Sequence, residues 1–178
     1  MTRSAKRTVG VLVALVALLV TAAVVAAVGL GTDGATAITV GDQRLSKQAF
    51  NDDLRAWAEF PLAQARSTDG AVSADAGAAI ATQTVYRMLA NRYLERVGER
   101  VTDADRATVL DAVSGNPDFA QAPEPFRDRF VVQQSTLAAL TRLVGTDEQG
   151  TTEVRVLRRE AKRVDVTVAP AYGRFDPV

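Results

Sequence analysis

Neither cysteine nor histidine occurs anywhere in the 178 residues. Their absence excludes a disulfide scaffold, a zinc finger, a Ser-His-Asp triad, a thiol nucleophile and imidazole-held haem, since each needs a thiolate or an imidazole. Any metal site would have to be built from carboxylates alone. Net charge is missing too, because 21 Lys plus Arg balance 21 Asp plus Glu. With no long-range field to draw it to a polyanion, the chain is not expected to bind nucleic acid. Aromatic residues are few, one Trp, three Tyr and six Phe, so each is a candidate for the core before it is a candidate for anything else.

Charge is also absent locally. Between Arg7 and Asp33 no ionisable residue interrupts a run of mostly Val, Ala and Leu. Roughly 20 helical residues cross a hydrocarbon core, so this run is long enough to span a bilayer. Arg3, Lys6 and Arg7 precede it and would stay on the cytoplasmic side, sending the rest of the chain outward. The reading is a single-pass membrane protein with an extracytoplasmic carboxyl-terminal domain. Ala35-Thr36-Ala37 also has the small-x-small pattern of a signal-peptidase site, so cleavage before Ile38 and secretion is the alternative. The expected organisation is a signal or anchor over 1–31, a linker over 32–36, and one domain over 37–178, a size that buries a single core.

Within that domain Ala37 to Val40 alternates as a strand and Gly41-Asp42 turns the chain. Ser46 suits an N-cap, and Phe50, Leu54 and Trp57 recur at helical spacing towards Phe60. A long helix is predicted from Ser73 to Gly98, apolar on more than one side and so expected at the centre of the packing. A third helix starts at Thr102 and stops at Gly115-Asn116-Pro117; residues 119–125 are read as an extended bend. A fourth runs from Phe126 to Val144 with Gly145 closing it. Residues 152–163 predict a fifth, although Val154 and Val156 alone also fit a strand. Val164, Val166 and Val168 alternate to a last strand that Pro170 ends. The fold class is therefore mainly α: an amino-terminal transmembrane helix, then a helical bundle closed by pairing of its first and last strands.

Two stretches carry a resemblance. Residues 38–46, Ile-Thr-Val-Gly-Asp-Gln-Arg-Leu-Ser, with Phe50 and Leu54 behind them, are similar to the strand, Gly-containing turn and helix start of the SurA and PrsA group of extracytoplasmic folding factors. Residues 164–176, ending Tyr172-Gly173-Arg174-Phe175-Asp176, resemble that group's terminal strand and Tyr-Gly-x-aromatic-Asp ending. The resemblance implies a chaperone domain that binds unfolded or nascent exported polypeptides without ATP or cofactor. Many members insert a parvulin isomerase domain of about a hundred residues; this chain has no room for one, so no catalytic residue carries over and no enzymatic activity is expected.

Two sets of residues are candidates for a site. Phe50, Trp57, Phe60, Tyr86, Met88, Phe126 and Phe130 are large apolar side chains that belong either to the core or to a client-binding surface. Arg155, Arg158, Arg159 and Lys162 fall on one face of the predicted fifth helix, either as a solvated face or as the contact for one anionic partner in the cell envelope. Among the acids, Asp103-Ala104-Asp105 reads as a helix cap rather than a hard-cation site, and Asp147-Glu148 as solvated loop.

Overall fold

The computed structural model describes residues 36–59, 72–145, 147 and 151–176. The apolar run, residues 31–35 and Phe60 lie outside the described residues. The remainder is mainly α, with six helices and a three-stranded antiparallel sheet. The strands are β1 (Thr36–Val40), β2 (Gln43–Ser46) and β3 (Val166–Val168). The helices are α1 (Lys47–Glu59), α2 (Ala74–Arg96), α3 (Asp103–Val113), α4 (Pro117–Gln121), α5 (Glu124–Val144) and α6 (Thr151–Ala161).

The sheet closes the chain on itself. β1 lies in the middle, pairing with β2 on one side and β3 on the other, with Ile38 opposite Val168, Thr39 opposite Thr167 and Val40 opposite Val166. The pairing satisfies backbone groups that the first and last strands would otherwise leave open. β2 was not legible in the sequence, because Gln43-Arg44-Leu45-Ser46 holds a single apolar residue and so shows no period. The two-residue Gly41-Asp42 turn creates it. Gly41 has φ 61°, a backbone conformation that favours glycine; a Cβ there would come 2.7 Å from the tip of the flexible Arg92 side chain, which can move aside.

Helix boundaries follow their capping chemistry. Ser46 Oγ accepts from Ala49 N, and Ser73 Oγ accepts from Ala76 N at the start of α2. Thr102 and Asp105 make a reciprocal capping box at the start of α3. Gly145, at φ 70°, follows α5 and donates to the Thr141 carbonyl. The extended bend expected over 119–125 is a correction: Pro117 to Gln121 forms α4, because Asn116 Oδ1 accepts from both Asp118 N and Phe119 N and nucleates a turn. Only Ala122 and Pro123 are extended there, and α5 starts at Glu124.

α2 is the central element, packed against α5, α6, β1 and the short 3-10 turn at Pro170–Tyr172. Val85 and Leu89 are fully buried, together with Ile38, Val40 and Phe50 from the amino-terminal side and Leu140 and Leu157 from the carboxyl-terminal side. A second cluster, Val109, Phe119, Ala122, Phe126, Val131 and Ala138, joins α3, α4 and α5. The Tyr-Gly-x-aromatic ending is part of the first core. Tyr172 meets Phe50 edge-on at 4.7 Å and donates its hydroxyl to Asn51 Oδ1 at 2.9 Å, while Phe175 packs on Tyr86 at 5.5 Å.

Candidate functional site

Most of the aromatic set is structural. Phe50 is completely buried, Met88 is 7% exposed and Phe126 6% exposed, so these three candidate client-binding residues are corrected to core. Helical spacing could not separate core from client-binding positions for them, because a large apolar side chain at that spacing reads the same whether or not another element covers it. Tyr86 is half-buried beneath Phe175, where burial raises its hydroxyl pKa, the nearby Arg158 charge opposes that rise and Asp176 adds to it. Phe60 lies outside the described residues. Among the described residues the exposed large apolar side chains are Val97, Leu110 and Val132, none of them aromatic.

Trp57 and Phe130 remain partly accessible, and the fold brings them together. Trp57 sits edge-on to Phe126 at 5.5 Å and to Phe130 at 5.8 Å, at the junction of the two core clusters. Two shallow grooves flank its indole. One is a shallow depression with essentially no enclosed volume, lined by Asp53, Ala56, Trp57, Phe126, Arg129, Phe130 and Gln133. The other, with about 10 Å³ of room, lies between α2 and α5 and is lined by Trp57, Ile80, Gln83, Thr84, Arg87 and Gln133 among others. Each is smaller than the roughly 300 Å³ at which small-molecule pockets begin. They offer the partly accessible edges of Trp57 and Phe130 rather than an enclosed pocket.

Beneath the indole lies a polar anchor that the sequence did not disclose. Asp53 is 8% exposed and accepts from Arg129 Nη1 and from Gln133 Nε2, both at 3.1 Å. This ties α1 to α5 across the groove. Burial lowers the pKa of Arg87 in the adjoining groove, and the Asp53 charge partly restores it. Asp52 points outward to Arg55 at 2.8 Å, so the two neighbouring acids diverge. Arg129 and Gln133 share a helix face at i, i+4 spacing, the only hint of a common partner in the sequence.

The basic set stands apart from the grooves. Arg155, Arg158, Arg159 and Lys162 are all exposed, while Glu153, Val156, Leu157, Glu160 and Ala161 are buried on the opposite side of the same segment. Arg155 lies 3.7 Å from Asp147. Asp147 is not the solvated loop acid the sequence suggested. Its carboxylate accepts from the Thr151 backbone N at 2.6 Å, from the Thr151 hydroxyl, and from the Thr152 hydroxyl at 2.9 Å, holding the first turn of α6. The Thr151 hydrogen bonds are the main reason its pKa is lowered to about 2 from an ordinary 3.8. The depressed folded value means that this contribution is complete above the ordinary carboxylate range and is lost as pH falls through about 2. Asp147→Asn should leave α6 insensitive to pH across that interval; a carboxyl carbon titration by NMR that found Asp147 near 3.8 would contradict the capping geometry.

Three further acids are buried. Asp105, 3% exposed, receives Arg142 Nε at 2.9 Å and the Thr102 amide at 2.8 Å. Burial alone would raise its pKa; these hydrogen bonds and the Arg142 charge outweigh it and leave the net shift downward. Glu160 receives Arg96 Nη2 at 3.0 Å and Arg163 Nη1 at 3.4 Å. Glu153 is 2% exposed and neither of its oxygens has a hydrogen-bond partner among the described residues. Among the described residues no group of three or more acids gathers as a cation site would require. No described helix is long and apolar enough to cross a membrane.

No family model matches the chain, and no curated protein and no solved structure matches it either.

Proposed function

We propose that this protein is a membrane-tethered, extracytoplasmic, chaperone-like domain of the SurA and PrsA type without an isomerase. It binds apolar segments of unfolded exported polypeptides without ATP, cofactor or covalent chemistry. The observation that carries this reading is the zipped sheet: the opening strand–Gly turn–helix and the closing strand–Tyr-Gly-x-Phe ending, the two stretches of the resemblance, meet through β1 and β3. The client surface is the pair of grooves beside Trp57, bordered by Phe130, Arg129 and Gln133. Small, shallow grooves suit this task. Each contact is weak, so a client is held by mass action and released spontaneously.

The test uses the full chain in lipid nanodiscs and several unrelated, chemically unfolded proteins. Suppression of light scattering at about equimolar ratio is expected, with little dependence on salt because the contact is apolar. Ala56→Arg places a long charged side chain in the groove wall while its stem can lie along apolar surface. It should weaken suppression at least severalfold with the circular dichroism unchanged. Suppression of only one protein, or none, would sink the proposal.

The second reading, a cell-envelope interaction protein that docks on one anionic partner, is favoured by the fully outward Arg155–Lys162 stripe. It predicts binding to a single partner and strong weakening as salt rises.

A further inference from the structure

The basic face of α6 does not border the Trp57 grooves. Its geometry is nonetheless specific. Between residues 151 and 165 five cations, Arg155, Arg158, Arg159, Lys162 and Arg163, are exposed, and the only exposed acid in that span is Asp165. The two other acids of the span, Glu153 and Glu160, are turned inward and buried. The segment has placed its negative charge in the core and its positive charge on the surface, leaving a one-sign stripe on a chain with no net charge.

The position of that stripe narrows what it can meet. The apolar run ends near Leu30 and β1 begins at Thr36. The five intervening residues reach at most about 20 Å even when fully extended. The first described residue is therefore held close to whatever surface the run enters. β1 then advances to Val40, which pairs with Val166, three residues beyond Arg163. A four-residue advance along a strand is about 14 Å and three further residues add at most about 10 Å, so the carboxyl end of the stripe lies within roughly 25 Å of Thr36. The stripe is thus tethered within roughly 45 Å of the surface the run enters, within reach of headgroups when the domain turns its α6 side towards them.

We propose that the Arg155, Arg158, Arg159 and Lys162 face of α6 docks the domain onto the anionic headgroup surface of the membrane that its own amino-terminal segment enters. The inference rests on the tethered part of the proposed function. An anchor and a basic patch are complementary signals, the first supplying proximity and the second orientation. Each cation near an anionic surface raises the docked population by about fivefold at moderate salt, an effect that decays within a Debye length. Docking through α6 fixes which side of the bundle faces the bilayer and leaves the client grooves elsewhere on the surface.

The experiment places the full chain in nanodiscs of phosphatidylcholine, with or without 40% phosphatidylglycerol. The chain has no native cysteine, so Thr167→Cys, exposed on β3 and outside the basic face, carries a donor dye, and headgroup-labelled lipid is the acceptor. Energy transfer at about 50 mM salt should show a docked fraction at least fivefold higher with phosphatidylglycerol, falling towards the phosphatidylcholine value at about 500 mM. Adding Arg155→Gln, Arg158→Gln and Arg159→Gln should abolish the difference. The corresponding three Lys substitutions should keep it, since a lipid surface reads charge rather than guanidinium geometry. Equal transfer in both discs would overturn the inference, as would loss of docking in the Lys set, the outcome expected if the stripe were built for one acidic protein. If the chain elutes free of both discs, the anchor itself is wrong and this inference falls with it; aggregation suppression by the same sample reports separately on the client-binding reading.

Discussion

Phe50→Ala is expected to destabilise the folded domain by about 3–5 kcal/mol, the range for removing a fully enclosed phenyl ring. The ring is completely buried, and it is where both ends of the domain meet. It comes from α1, just after the β1–β2 hairpin, and receives the edge of Tyr172 from the closing segment. The cavity would therefore open at the join between the amino-terminal and carboxyl-terminal elements. Collapse around it would require Tyr172 to leave its hydrogen bond with Asn51. Marginal domains have about 5–15 kcal/mol in all, so much of the margin disappears. Urea denaturation of the full chain in nanodiscs measures it; a loss below about 1 kcal/mol would show that the two ends do not share this core.

The second prediction has the opposite sign. Glu153→Leu is expected to raise stability by about 1–3 kcal/mol, the desolvation cost of a buried polar group left without a partner. Both carboxylate oxygens are buried and without a hydrogen-bond partner among the described residues, whereas Glu160, seven residues on, receives two arginines. Some of the gain is offset because Glu153 lies in the first turn of α6, where negative charge is favoured by a few tenths of a kcal/mol or more. Glu153→Gln keeps the shape and removes the charge, and should recover part of the effect. The same urea titration reads both variants. A destabilised Glu153→Leu would mean that the carboxylate is satisfied by a group outside the described residues.

The contrast between these two sites explains what the sequence could and could not disclose. Among the described residues periodicity located every long helix and both end strands, because alternation at 3.6 or 2 residues reflects which backbone faces are covered. Caps were legible too: Ser46, Ser73 and Thr102 act where their residue types predicted. β2 and α4 were missed, because one is set by a turn and the other by the Asn116 side chain rather than by any apolar pattern. The site was legible only in part. The outward stripe of α6 was visible, since four cations at helical spacing opposite Val156 and Leu157 must face water. Which aromatics were exposed was not, because the sequence does not say which helix covers which. Long-range charge partners such as Asp53 with Arg129, or Arg96 with Glu160, are separated by 76 and 64 positions and leave no local signature.

The surface beside Trp57 is proposed to receive apolar segments of unfolded chains, and the single tryptophan of the protein reports on it directly. Its indole should be titrated by fluorescence, in the full chain held in nanodiscs, with unfolded peptides that contain Leu and Phe but no Trp. A saturable blue shift, common to several unrelated peptides, insensitive to salt and lost in Ala56→Arg, is the predicted result. An emission maximum that stays fixed across all of them would contradict the account.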